Sequence, residues 1–113
     1  MKGLELKFEV ENQRVKVILE INHKNEDRRL HYLAELENYR SLIDEGFEER
    51  LIWDENVLLR EGKTVSQIYI INNSYNFHNK DHWKDIFIFM ATNMYRIQTN
   101  LKELLPILEE TLR

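Results

Sequence analysis

The chain has 113 residues, of which 42% are hydrophobic and 32% are charged, and its net charge is −4. That length and that balance predict a single folded domain over residues 1–113 and exclude a globally disordered chain. The sequence contains no cysteine, which excludes disulfides, thiol catalysis and cysteine-ligated zinc.

The first 21 residues alternate between apolar and polar side chains. Residues 4–10 place an apolar side chain at every second position, and residues 15–21 do the same after a polar break at Asn12. A strict period of two is typical of a half-buried strand. Two such runs with a short polar link predict an antiparallel hairpin.

A helix is expected next. Asn22 and Asn25 are both suitable N-caps, because their short side chains can accept hydrogen bonds from the first helical N–H groups. From Leu30 to Ile43 the apolar residues follow helical spacing, and Gly46 suits the position just after the last turn. The pattern predicts one helix of about 20 residues with a single apolar stripe.

Two more strands follow this helix. Residues 51–53 predict a third strand, and the polar residues within 54–64 predict a turn or loop, although residues 57–59 could extend the pairing. Residues 65–71 predict a fourth strand. That strand ends apolar on both faces, which favours a central position in the sheet.

The last part of the chain carries the longest helical pattern. Asn79 suits its N-cap. Apolar residues then recur every three or four positions at Trp83, Phe87, Met90, Met94, Ile97, Leu101, Leu104 and Leu108. Such a helix has about 26 residues and a length of about 39 Å, against roughly 30 Å for a small domain. Pro106 predicts a bend or restart near residues 102–105.

The element order is therefore β-β-α-β-β-α. It predicts an α+β fold in which an antiparallel sheet of about four strands carries two long helices on one face. Because the last helix outruns its own domain, we expect a homo-oligomer, most simply a homodimer. A different protein partner could also cover the exposed apolar stripe of this helix. The expected interaction face consists of Trp83, Phe87, Met90, Met94, Ile97 and Leu101.

Two short motifs resemble catalytic or metal sites without completing one. His78 and His82 have the i, i+4 spacing of zinc ligands, but no H-E-x-x-H frame surrounds them. Glu5 and Lys7 match half of a metal-dependent nuclease motif, for which Glu20 is a possible third charge, yet solvent-face alternation explains all three. We therefore expect no catalytic residue, no metal and no cofactor, and a non-enzymatic interaction or assembly domain.

A nucleic-acid-binding role is the alternative. The letters G-K-T occur at residues 62–64, but the earlier glycine of a P-loop is missing and a strand follows in place of a helix. The candidate anion or nucleic-acid contacts are Lys63, Tyr69, Lys80 and Lys84, because cations interleaved with aromatic residues can hold phosphates and stack bases. Both signs of charge are interspersed along the chain, however, and no basic stripe stands out.

Two segments resemble a known bacterial family. They are residues 62–69, GKTVSQIY, and residues 77–83, FHNKDHW. Their order and spacing are similar to the family catalogued as domain of unknown function 4268, and the resemblance covers roughly residues 4–97. It implies an accessory role near DNA metabolism, since members occur alone or beside restriction-nuclease-like regions. It implies no catalytic residue, and Gln67 stands where the family often has a basic side chain.

A cytoplasmic location is expected. The first residues contain no apolar core of signal-peptide length. The longest unbroken apolar run, residues 86–91, is far too short to span a membrane.

Overall fold

The computed structural model of the chain describes residues 1–112. A four-stranded antiparallel sheet in the order β1-β2-β4-β3 forms its base, which confirms the expected α+β fold. The strands are β1 (Leu4–Glu11), β2 (Arg14–Ile21), β3 (Ile52–Leu58) and β4 (Thr64–Asn72). The helices are α1 (Glu26–Glu37), α2 (Arg40–Ile43), α3 (Trp83–Lys102) and α4 (Leu105–Thr111). None of the helices described is long and apolar enough to cross a membrane.

The sheet is centred on β2 and β4, as the apolar character of the fourth strand predicts. Ile18 of β2 lies opposite Tyr69 of β4, and on the other face Leu19 lies opposite Ile68. Leu19 and Ile68 belong to the main hydrophobic core, where α1 and α3 cover the sheet. β1 and β3 are the edge strands, because each pairs with one neighbour only.

The third strand is longer than expected. It continues through a bulge between Asp54 and Val57, so the loop predicted over residues 54–64 is wrong in its first half. Strand pairing extends to Leu58, in agreement with the alternative that residues 57–59 continue the third strand. The actual turn is closed by the Leu59 N–H, which donates to the Lys63 carbonyl at 2.8 Å. Gly62 adopts φ +88° there, a conformation that glycine reaches without a steric penalty.

The single helix expected before Gly46 is divided in two. Asn25, not Asn22, is the N-cap, since its Oδ1 accepts from the Arg28 N–H at 2.9 Å. The chain leaves the helix at Asn38, a residue type whose side chain competes for backbone bonds and weakens helix interiors. Asn100 of α3 then binds the carbonyls of residues 43 and 45, at 2.9 and 2.8 Å, which fixes α2 in its new direction.

The predicted break near residues 102–105 is confirmed, but it leaves α3 with 20 residues, so the expected helix of about 26 residues that would outrun the domain is wrong. α3 ends at Lys102, and Pro106 lies in the first turn of α4, where its missing N–H is no loss. Both sides of the break pack into the core. The buried residues of this part are Ile97, Leu101, Leu104, Leu108 and Leu112.

Candidate interaction surface

The outer edge of β1 is free to pair. The Gly3 carbonyl accepts from the Asn22 N–H at 2.9 Å, so the backbone groups of Gly3 point towards the β2 side. Backbone groups alternate in direction along a strand. The N–H and C=O groups of Leu6, Phe8 and Val10 therefore point away from β2, along an edge where residues 1–112 form no further strand.

Large apolar side chains cluster beside this edge. The Phe77 N–H donates to the Asn12 carbonyl at 2.8 Å, which fixes the start of α3 against the β1–β2 turn. Trp83 donates its indole N–H to the Phe77 carbonyl at 2.6 Å and stacks on the Phe77 ring with centroids 6.0 Å apart. Five exposed apolar residues, which we call the apolar flank, are Phe8, Val10, Phe77, Trp83 and Phe87. Their exposed fractions run from 37% for Val10 to 54% for Phe87.

The two sides of α3 have different neighbours. Asp85, Ile88, Thr92 and Arg96 line a depression of ≈ 730 Å³ that they share with residues 46–49 and 70–75. That side of α3 therefore faces β4 and the α2–β3 loop. A helix turns by about 100° per residue, which places the stripe through Trp83, Phe87, Met90 and Met94 on the side that faces β1.

The predicted interaction face is thus only partly available at the surface. Ile97 and Leu101 are buried inside the chain and belong to its core. Met90 and Met94 are half-buried, and Trp83 and Phe87 are exposed. Sequence reasoning missed Phe8 and Val10, because their alternation is the same as that of strand residues that a helix covers.

The candidate nucleic-acid contacts do not form one site. Lys63 lies in the β3–β4 turn, and Lys80 and Lys84 lie near the start of α3. Tyr69 is on the helix-free face of the sheet, with the Lys16 Nζ 4.2 Å from its ring centre. Burial, followed by the charge of Asp54, raises the pKa of Tyr69 above its ordinary value.

The two histidines of the zinc-like spacing have separate partners. His78 Nε2 lies 2.7 Å from Asn12 Oδ1, whereas His82 Nδ1 accepts from the Asn76 N–H at 2.9 Å. Among residues 1–112 no group of three or more histidine, aspartate or glutamate side chains is arranged to hold a metal ion. The histidines instead order the loop that precedes α3.

The charges of the nuclease-like half-motif form a hydrogen-bonded network on the helix-free face. Lys7 Nζ lies 3.2 Å from Glu20, and Asn22 Nδ2 bridges Glu20 and Glu5 at 3.0 and 3.2 Å. Burial opposes ionisation of Glu20, but hydrogen bonds from Asn22, Gln67 and Lys7 hold its pKa below the ordinary value. Glu20 is therefore a charged residue whose oxygens are already occupied by neighbouring side chains.

One comparison with known proteins gives a match. The family model described as Domain of unknown function (DUF4268) matches residues 1–105, which is nearly the whole chain. No curated protein and no solved structure matches this chain.

Proposed function

This chain belongs to the DUF4268 family, which is described only as a domain of unknown function, and we propose that it is a non-enzymatic assembly domain that forms a homodimer in the cytoplasm. One observation carries the proposal. The apolar flank lies next to a strand edge whose backbone groups have no partner in the sheet. An unpaired strand edge and an exposed apolar patch each promote association with another chain.

The area of the flank suits a modest interface. Taking about 200 Å² for a large side chain, its five residues expose roughly 400 Å² per chain. A standard interface covers about 800 Å² on each partner. The edge of β1 and the half-buried Met90 and Met94 lie alongside and supply further contact area, so a second copy can reach the usual size.

Charge favours the register with Phe8 at its centre over its two neighbours. Two β1 strands can pair antiparallel with Phe8 opposite Phe8, and Lys7 of each copy then faces Glu9 of the other. The two neighbouring registers that keep apolar side chains on one face put Lys7 opposite Lys7 or Glu9 opposite Glu9, and both pairs are repulsive. The first register also brings the two apolar flanks together on the helix-bearing side of a continuous eight-stranded sheet.

Light scattering after size-exclusion chromatography tests the assembly. We expect a mass near twice the 13.8 kDa of one chain at micromolar concentration. A strictly monomeric mass under those conditions would refute the proposal.

The register is tested by disulfide cross-linking, for which this cysteine-free chain gives no background. In the Phe8→Cys variant the two new thiols lie on Cα atoms about 5.5 Å apart, within the range of a disulfide. In the control, Val10→Cys, the equivalent atoms are about 13 Å apart along the strands. Equal cross-linking of both variants would contradict the register.

A further inference from the structure

A second surface feature is independent of the apolar flank. It is a depression of ≈ 530 Å³ where the β2–α1 loop, the start of α1, the β3 bulge and the start of β4 meet. Seven residues line it: His23, Lys24, Glu26, Arg29, Asn56, Lys63 and Thr64. Three of them are cations and one is an anion, although the whole chain has a net charge of −4.

The centre of this basic depression is a buried arginine. Arg29 is only 2% exposed, and its Nη1 donates to the Glu55 carbonyl and to Ser66 Oγ, both at 2.6 Å. Its Nη2 donates to Asn56 Oδ1 at 3.1 Å. All of these acceptors are neutral. They satisfy the hydrogen-bonding needs of the guanidinium group but leave its charge without a counter-ion.

The carboxylate that comes near this arginine is a weak partner. Glu26 approaches Arg29 no closer than 3.8 Å, and 75% of the Glu26 side chain is exposed to solvent. Water screens such a contact strongly, so it neutralises little of the buried charge. The positive potential of Arg29 therefore extends into the depression.

Two exposed lysines and a histidine complete the set. Lys24 and Lys63 form no ion pair within residues 1–112, so both ammonium groups are available to a ligand. His23 Nδ1 accepts from the Asn25 N–H at 3.1 Å. An imidazole nitrogen that accepts carries no proton, so Nε2 of His23 is a donor.

We propose that this depression binds the terminal phosphate of a phosphomonoester. Such a group has up to two negative charges and several acceptor oxygens, and it requires charged donors that converge from different directions. Lys24 and Lys63 supply charged donors from two separate loops around a buried guanidinium group, and Nε2 of His23 adds a neutral donor, which together meet that need. An internal phosphodiester of a nucleic acid has one charge and fits less well, and no basic stripe leads along the chain from this site.

The test uses three phosphate probes on the isotope-labelled protein, with backbone amides followed by nuclear magnetic resonance. Inorganic phosphate and methyl phosphate are expected to shift the amides of residues 23–26 and 63–64, with half-saturation near or below about 1 mM. Dimethyl phosphate, a diester with one charge, is expected to shift them far less. Absence of a shift with both phosphate and methyl phosphate, or an equal effect of dimethyl phosphate, would overturn the proposal.

Variants show whether the lysines bind the probe. Each exposed charge is worth about a fivefold change in affinity at contact distance in water, so the double variant Lys24→Gln/Lys63→Gln should weaken phosphate binding about twenty-five-fold. The matched control is Lys102→Gln, an exposed lysine at the end of α3 that does not line the depression, which should leave binding unchanged. Equal binding by the double variant and the control contradicts the assignment, and neither result depends on whether the chain dimerises.

Discussion

Replacing Phe87 by serine should dissociate the proposed dimer and leave the monomer folded. Phe87 is 54% exposed in the single chain, which is about 110 Å² when a large aromatic residue has about 200 Å². At about 25 cal/mol per Å², covering that area contributes about 2.7 kcal/mol per chain and about 5 kcal/mol per dimer. Ordering the side chains at the interface offsets part of this gain, so the expected loss of association free energy is half of the per-dimer value, about 2.5 kcal/mol.

A loss of about 2.5 kcal/mol in association free energy corresponds to a Kd about sixtyfold higher for Phe87→Ser than for the unmodified chain. Sedimentation equilibrium over a range of concentrations measures this difference. Thermal unfolding of both proteins shows whether the folded monomer is retained.

The control is the next residue along the helix. Ile88 is 52% exposed, nearly the same as Phe87, but it is turned by about 100° around α3 and lines the depression near residues 46–49. Ile88→Ser should change the free energy of association by no more than about 0.5 kcal/mol. If the two variants weaken the dimer equally, or if neither does, the reasoning about the side of α3 that faces β1 is refuted.

Three further predictions concern the folded chain. Arg29→Ala should lower the free energy of unfolding by about 3 kcal/mol in urea titrations, because it leaves Asn56 Oδ1 without its donor and the Glu55 carbonyl with Ser66 Oγ as its remaining side-chain donor; an unchanged midpoint would contradict this. Glu20 has a lowered pKa in the folded state, so its stabilisation is present above the ordinary value of 4.5 and is lost as the pH falls through the folded value. The acid-induced loss of stability should be smaller in Glu20→Gln, and identical pH profiles would count against the network. Gly62→Ala should cost roughly 1 kcal/mol in thermal unfolding, from backbone strain at φ +88° alone, since no atom lies within 4 Å of the added Cβ; a neutral effect would show that the turn can relax.

Local patterns were sufficient for most of the fold. The alternation before residue 21 predicted the first hairpin, and Pro106 marked the restart of the last helix. Local patterns failed where a contact between residues distant in the sequence determined the backbone conformation. The helix before Gly46 divides at Asn38, and Asn100 of α3 holds the carbonyls that follow the break.

The candidate sites were less predictable than the fold. Trp83 and Phe87 could be nominated from helical spacing alone, but the same spacing also selected Ile97, which lies in the core. Lys63 could be nominated as an anion contact. Its neighbours Arg29 and Lys24 could not, because they come from a loop and a helix far from it in the sequence.

The sequence by itself determined most of the strand and helix segments, and which face of each is apolar, since both properties depend on the spacing of neighbouring residues. The tertiary structure alone decided which apolar residues are covered. Leu19 and Phe8 both lie on the helix-bearing face of the sheet, yet Leu19 is buried beneath the helices and Phe8 is left at the open edge. Burial depends on which element is packed above a residue, and that is fixed by contacts between segments that are distant in the chain.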